Sequence, residues 1–213
     1  LSARLFRWPL FLWLAAPLLF IPWTLLTHRG WYIWGAPPAP NYALAWAALA
    51  WALTPIGLLL DGLAGRRYGR PLRTTAHLLF PFALMWGMGD AAVSSATFGL
   101  GVAFYVLAAA VDRARGRKGL AGARFIYPAA LLAPVWAVYL LAWRRPALPH
   151  AHFGLLLLLL SPLLFAAARR LRLLDPADAL PAYLSCYGCA IAGTMLVSYE
   201  QPLLALALLF DAA

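Results

Sequence analysis

Two cysteines stand in the spacing Cys186-Tyr-Gly-Cys189. Positions i and i+3 of a helix share a face, so the thiols could bridge, bind a metal, or relay electrons as membrane dithiols linked to quinones do. A closed zinc site needs two more ligands, and a dithiol relay needs further cysteines, whereas these two are the chain's only cysteines. Cysteine is also a small apolar residue at home in a core. Gly188, Ala192 and Gly193 give the same segment a small-residue face for close helix packing. Packing is the expected role, and no metal site is predicted.

The chain has 7 acidic residues. Asp61, Asp112, Asp175 and Asp178 lie beside arginines, where interfacial ion pairing is expected. Asp90, Glu200 and Asp211 fall instead near the ends of apolar stretches. A carboxylate placed inside hydrocarbon costs about 2.5–3.5 kcal/mol on insertion scales, so it tends to face a cavity, a partner or an ion path. Asp90 follows Trp86-Gly-Met-Gly89 and reads equally as a group in such a path or as one high enough to touch water. Glu200 precedes Gln201-Pro202 and reads as loop, while Asp211 would lie at depth if its segment enters the membrane.

The histidines are His28, His77, His150 and His152. Haem and pigment sites in membranes take histidines from helices at matching depth. Only His77 falls near the inner end of an apolar run and the other three on the opposite side, so interfacial polar roles are expected and no cofactor is predicted. There is no Walker loop, no HExxH, no paired-aspartate motif and no GxSxG.

All but Arg29, Arg144 and Arg145 of the 17 basic residues fall in four clusters: Arg4 and Arg7; Arg66, Arg67, Arg70 and Arg73; Arg113, Arg115, Arg117, Lys118 and Arg124; Arg169, Arg170 and Arg172. The clusters occur in alternate connections between apolar segments. Short loops rich in Lys and Arg stay cytoplasmic. Arg66, Arg67, Arg70, Arg113, Arg115, Arg117, Arg169 and Arg170 are therefore the candidate contacts to anionic lipid or phosphate.

The elements that must position these residues are membrane helices. The chain is 64% hydrophobic and 11% charged, against about 45–50% and about 25% in a soluble domain. Its net charge of +10 belongs to short loops beside apolar spans, which argues against nucleic acid. A bilayer core needs roughly 20 helical residues, which places spans near 6–27, 41–63, 74–93, 95–112, 125–143, 152–168 and 180–198. The first apolar run lacks a small-residue cleavage site and reads as a span, not a signal peptide. From Thr74 to Asp112 a single helix would be about 58 Å long and would put the Arg113–Arg124 cluster on the wrong side. Two spans with a turn near Val93–Thr97 are expected instead. The tail from Pro202 to Ala213 would make about 18 Å of helix, a short eighth segment. Trp23, Trp31, Tyr32, Trp34 and Tyr42 suit the headgroup level of the outer face.

The predicted fold is an all-α polytopic bundle of seven full spans plus the short eighth segment, forming one integral membrane domain. Its N-terminus is expected in the cytoplasm of a bacterial cell. Matches such as Phe6-Arg-Trp-Pro9 with Phe125-Ile-Tyr-Pro128 raise a parallel repeat of 1–112 and 120–213. The favoured function is a non-catalytic subunit of a larger membrane assembly, packed against partner helices, lipid and other hydrophobic small molecules. The alternatives are a transporter or channel for a small or lipidic substrate with Asp90 in the path, and a membrane enzyme acting on lipid-linked substrates.

Overall fold

A computed structural model describes residues 9–32 and 39–198. Arg4, Arg7, Glu200, Asp211 and the expected eighth segment lie outside the described residues. The described chain is helical throughout, with no strand among the described residues. In order, the helices are α1 (Pro9–Leu18), α2 (Phe20–Tyr32), α3 (Tyr42–Leu63), α4 (Arg66–Gly87), α5 (Ala91–Ala114), the single turn α6 (Leu120–Ala123), α7 (Ile126–Arg144), α8 (His150–Leu174) and α9 (Pro176–Val197).

Among the described residues, six stretches are long and apolar enough to cross a bilayer: Phe11–Gly30, Ala39–Leu63, Ala91–Ala114, Ile126–Arg144, His150–Leu174 and Pro176–Val197. By the length and composition of these helices the chain is an integral, multi-pass membrane protein. The span expected at 74–93 is answered by α4, which pairs antiparallel with α3 but is less apolar than these six stretches. That helix starts at Arg66 and carries its arginines in its first two turns. The apolar part of α4, Thr74 to Gly87, makes about 21 Å of its helix, and the arginines take up the rest. The break between Thr74 and Asp112 is real, but it falls at Met88–Asp90 rather than at Val93–Thr97. The hydroxyls lie one turn past the break: Ser94 Oγ donates to the Gly87 carbonyl at 2.6 Å, satisfying the end of α4, and Thr97 Oγ1 donates back to Val93.

The chain divides into two compact units, Leu1–Thr97 and Phe98–Ala213, with the border inside α5. In the first unit, α3 and α4 form a tight antiparallel hairpin around Ala64 and Gly65, whose φ of +96° suits glycine. Gly57 and Gly69 meet across it, so a methyl group on Gly69 would run into the Gly57 carbonyl and the Asp61 carboxylate. The buried face is built from alanines, among them Ala43, Ala47, Ala50, Ala76 and Ala83, with Phe80 as the large side chain. Helix α1 packs on α4 and α2 packs on α3. Two indole donors tie α2 and α3 together: Trp23 Nε1 to the Ala45 carbonyl at 2.7 Å and Trp46 Nε1 to Thr24 Oγ1 at 3.0 Å.

In the second unit, α8 and α9 form a second tight hairpin that turns at Asp175. Gly154 and Gly193 are its closest approach; a Cβ on either would lie 2.8–2.9 Å from the other's carbonyl oxygen. Helix α7 lies against both α8 and α9, and Ser185 Oγ donates to the Ala130 carbonyl at 2.7 Å. Small residues thus line the close helix approaches in both units, while many Leu, Phe, Met and Trp side chains point outward. Without a hydrophobic drive between helices in lipid, close backbone approach of this kind is what holds them together.

Candidate functional site

The densest polar chemistry is at the basic end of the second unit. Helix α9 begins with Asp175-Pro176-Ala-Asp178, a helix-start pattern in the sequence itself. Asp175 caps the helix, its carboxylate accepting the Ala177 N–H at 3.0 Å. The same carboxylate accepts the Gly119 N–H at 2.8 Å, which draws the 113–124 connection onto the start of α9. These backbone donors, Gly119 first and then Ala177, hold the Asp175 carboxyl below the usual carboxylate value. Asp178, one turn further on, is fully buried and ion-pairs with Arg113 at the end of α5.

Asp112 is the second centre. It is buried in the last turn of α5 and binds two guanidinium groups. Arg117 reaches both of its oxygens, at 3.1 and 3.0 Å, and Arg124 adds Nε at 2.9 Å and a second nitrogen at 2.8 Å. A carboxylate this deep is tolerable only when its charge is met by such hydrogen-bonded partners. In the first unit, Asp61 and Arg73 repeat the pattern at 2.7 Å, beside the Gly57–Gly69 contact. The four acids read as interfacial from the sequence therefore do ion-pair or cap. Which arginine meets which acid depends on helix packing, and the sequence carried no signal for it.

The candidate lipid or phosphate residues separate into two groups. Arg113 and Arg117 are bound to acids of their own unit. Arg67, Arg70, Arg115, Arg169 and Arg170 are exposed, and Arg67 lies 5.1 Å over the Tyr68 ring. The Arg66 side chain lies outside the described residues.

The other candidates do not assemble. Asp90 is exposed, and its Oδ1 accepts the Val93 N–H at 2.9 Å, so it caps α5. Cys186 and Cys189 are both buried free thiols on α9, and Cys186 Sγ lies 3.3 Å from Ser161 Oγ. His28 Nδ1 meets the Tyr42 hydroxyl, His150 faces the Phe153 ring at 6.4 Å, His152 is exposed and His77 is half-buried on α4. Among the described residues no three His, Cys, Asp or Glu side chains gather to hold a metal ion.

Sequence reasoning also missed an aromatic cluster in the first unit. Trp46 is its hub, with Phe20 at 5.0 Å, Trp86 at 5.3 Å and Tyr42 at 6.4 Å between ring centroids. Trp86 Nε1 donates to the Ala39 carbonyl at 2.7 Å, closing the end of the α3–α4 hairpin away from its arginines. Phe20, Trp46 and Trp86 come from three different helices, and that separation in sequence hid the cluster.

No family model matches this chain, and neither the curated proteins nor the solved structures hold a match to it.

Proposed function

We propose that the chain is a non-catalytic, multi-pass subunit of a larger membrane assembly, held in a bacterial-type cytoplasmic membrane with its N-terminus and its basic connections on the cytoplasmic side. The observation that carries this reading is the outward face of α9. Leu180, Leu184, Tyr187, Ile191 and Met195 are all exposed, at successive steps of 4, 3, 4 and 4 residues. That spacing keeps all five on one face of the helix. Gly188 lies beside the stripe with nothing within 4 Å of where its Cβ would stand. A small residue next to large apolar ones is how membrane helices let a partner backbone approach.

The charge arrangement supports the same reading. Asp61, Asp112 and Asp178 are bound by arginines of their own unit, so the best-ordered ionic groups act in holding helices together. Asp90 serves as the cap of α5 through Val93, and no observation favours transport through it. Phosphate chemistry would require arginines converging on one anion site, and Arg113, Arg117 and Arg124 converge on carboxylates instead.

Purification from the native membrane in mild detergent tests the proposal. A stable complex, lost when Gly188→Phe fills the seam, is the expected result; a lone monomer overturns it. Impermeant maleimide labelling tests orientation, in a background lacking Cys186 and Cys189. A cysteine at Lys118 should be protected in intact cells and one at Pro146 should react.

A further inference from the structure

We propose that Arg169, Arg170 and Arg172, at the end of α8, form a headgroup site for anionic phospholipid. The proposal rests on the membrane-spanning reading and goes beyond it by naming which arginines bind lipid and which do not.

The argument begins with a division of labour. Arg73, Arg113, Arg117 and Arg124 each lie against an aspartate of their own unit. Arg169, Arg170 and Arg172 are exposed, and among the described residues none of the three has an acidic partner. The nearest acid in sequence, Asp175, is engaged by the backbone N–H groups of Gly119 and Ala177.

The depth of the three groups follows from their neighbours. Residues four apart on a helix stack on one face. Arg169 is therefore bracketed by Phe165 below and Leu173 above, and Arg170 has Leu174 above it. Leu173 is 80% exposed and Leu174 74% exposed. Two leucines so bare beyond the arginines would be unfavourable in water. They are accommodated if the interfacial layer reaches to the end of α8. The guanidinium groups then lie within that layer, at the level of lipid phosphates, and not in bulk water. A charge at that depth needs a counter-anion. Arginine's planar donor fork matches a phosphate diester, and Phe165, Leu163 and the leucines offer an apolar surface for the attached acyl chains. Arg169 and Arg172, at i and i+3, can hold one phosphate between them.

The test uses the full chain in nanodiscs of zwitterionic lipid doped with phosphatidylglycerol. Native mass spectrometry counts the anionic lipid retained. Replacing all three arginines by glutamine should lower retention by about five-fold per arginine, and replacement by lysine should largely keep it. Arg117→Gln should leave retention unchanged. Added inorganic phosphate should not compete, because the acyl chains contribute to binding; if it does, the site takes free phosphate and the lipid assignment falls. Should the glutamine variant fail to insert, a photoactivatable phosphatidylglycerol on the wild-type chain gives the answer. Crosslinks within 163–174 support the site, and crosslinks found only elsewhere overturn it. Release of the wild-type chain by alkaline carbonate would instead remove the membrane reading itself, a separate failure.

Discussion

Arg113, in the last turn of α5, ion-pairs with Asp178, in the first turn of α9, and the carboxylate side chain is 1% exposed. The pair joins helices whose connection in sequence runs through α6, α7 and α8. It therefore fixes the basic end of the second unit in a way no local turn could.

Removing one partner from such a pair leaves a buried charge uncompensated, which costs about 3–5 kcal/mol. Asp178→Asn and Arg113→Gln should each lower the thermal unfolding temperature of the solubilised protein markedly. The double change Asp178→Leu with Arg113→Met should recover most of the loss, since an apolar pair of similar volume needs no desolvation of charge. Equal damage from the double variant and the sum of the singles would show that the two groups are not coupled.

Asp175 gives a pH dependence with a definite sign. Its folded-state carboxyl is held below the ordinary value of 3.8 by the Gly119 and Ala177 N–H groups. A depressed carboxyl contributes stability that is fully present above the unfolded value and is lost as pH falls through the lower folded value. The wild type should therefore lose part of its stability below about pH 4. Asp175→Asn, which keeps an acceptor but no charge, should lack that component. The gap in melting temperature between the two should close as the solution is acidified. A gap constant with pH would show that the Asp175 charge is not what docks the 113–124 connection.

The helical architecture was legible because apolar runs of the right length leave few alternatives in lipid. The α8 and α9 spans emerged for that reason, although α8 runs on to Leu174, past the expected end at 168. The α4 helix was misplaced because hydropathy marks where a helix is greasy and not where it starts. Arg66 to Arg73 look like a loop to a hydropathy ruler, yet long basic side chains extend from a helix as readily as from a turn. The ion pairs were half legible. Acids beside arginines signalled pairing, but Arg124 reaching Asp112 and Arg113 reaching Asp178 are products of tertiary packing. At Asp90 the sequence was weighed for its charge, and the helix-start pattern Asp90-Ala-Ala-Val93, which caps α5, went unread.

Close glycine contact predicts a steric hierarchy within α9. Gly193→Val should clash with the Gly154 carbonyl and with Leu158, 2.8 Å from its new Cβ, and overpacking of this kind typically costs about 1–3 kcal/mol. Gly154→Val should behave alike from the other helix. Gly188→Ala, with open space around it, should be neutral or slightly stabilising in the isolated chain, because alanine is the better helix former. Thermal unfolding of the three variants checks the order. Equal sensitivity at 188 and 193 would mean that helix propensity, not the α8–α9 contact, decides.

Asp90 separates a capping role from a carrier role. As the cap of α5 it accepts the Val93 N–H, three residues on, while its own carbonyl accepts the Ser94 N–H at 2.8 Å. Replacing such a cap by alanine costs about 1 kcal/mol, and other short polar residues substitute well. Asp90→Ala should therefore lower the unfolding temperature modestly, and Asp90→Ser and Asp90→Asn should stay close to wild type. A group that carries an ion must keep its charge, so serine and asparagine would fail there as badly as alanine. Reconstituted vesicles and an unfolding assay run on the same three variants distinguish the two. If stability ranks them with alanine alone at the bottom, the cap explains the residue. If all three keep wild-type stability and lose a measurable ion flux, Asp90 carries charge and the subunit reading gives way to transport.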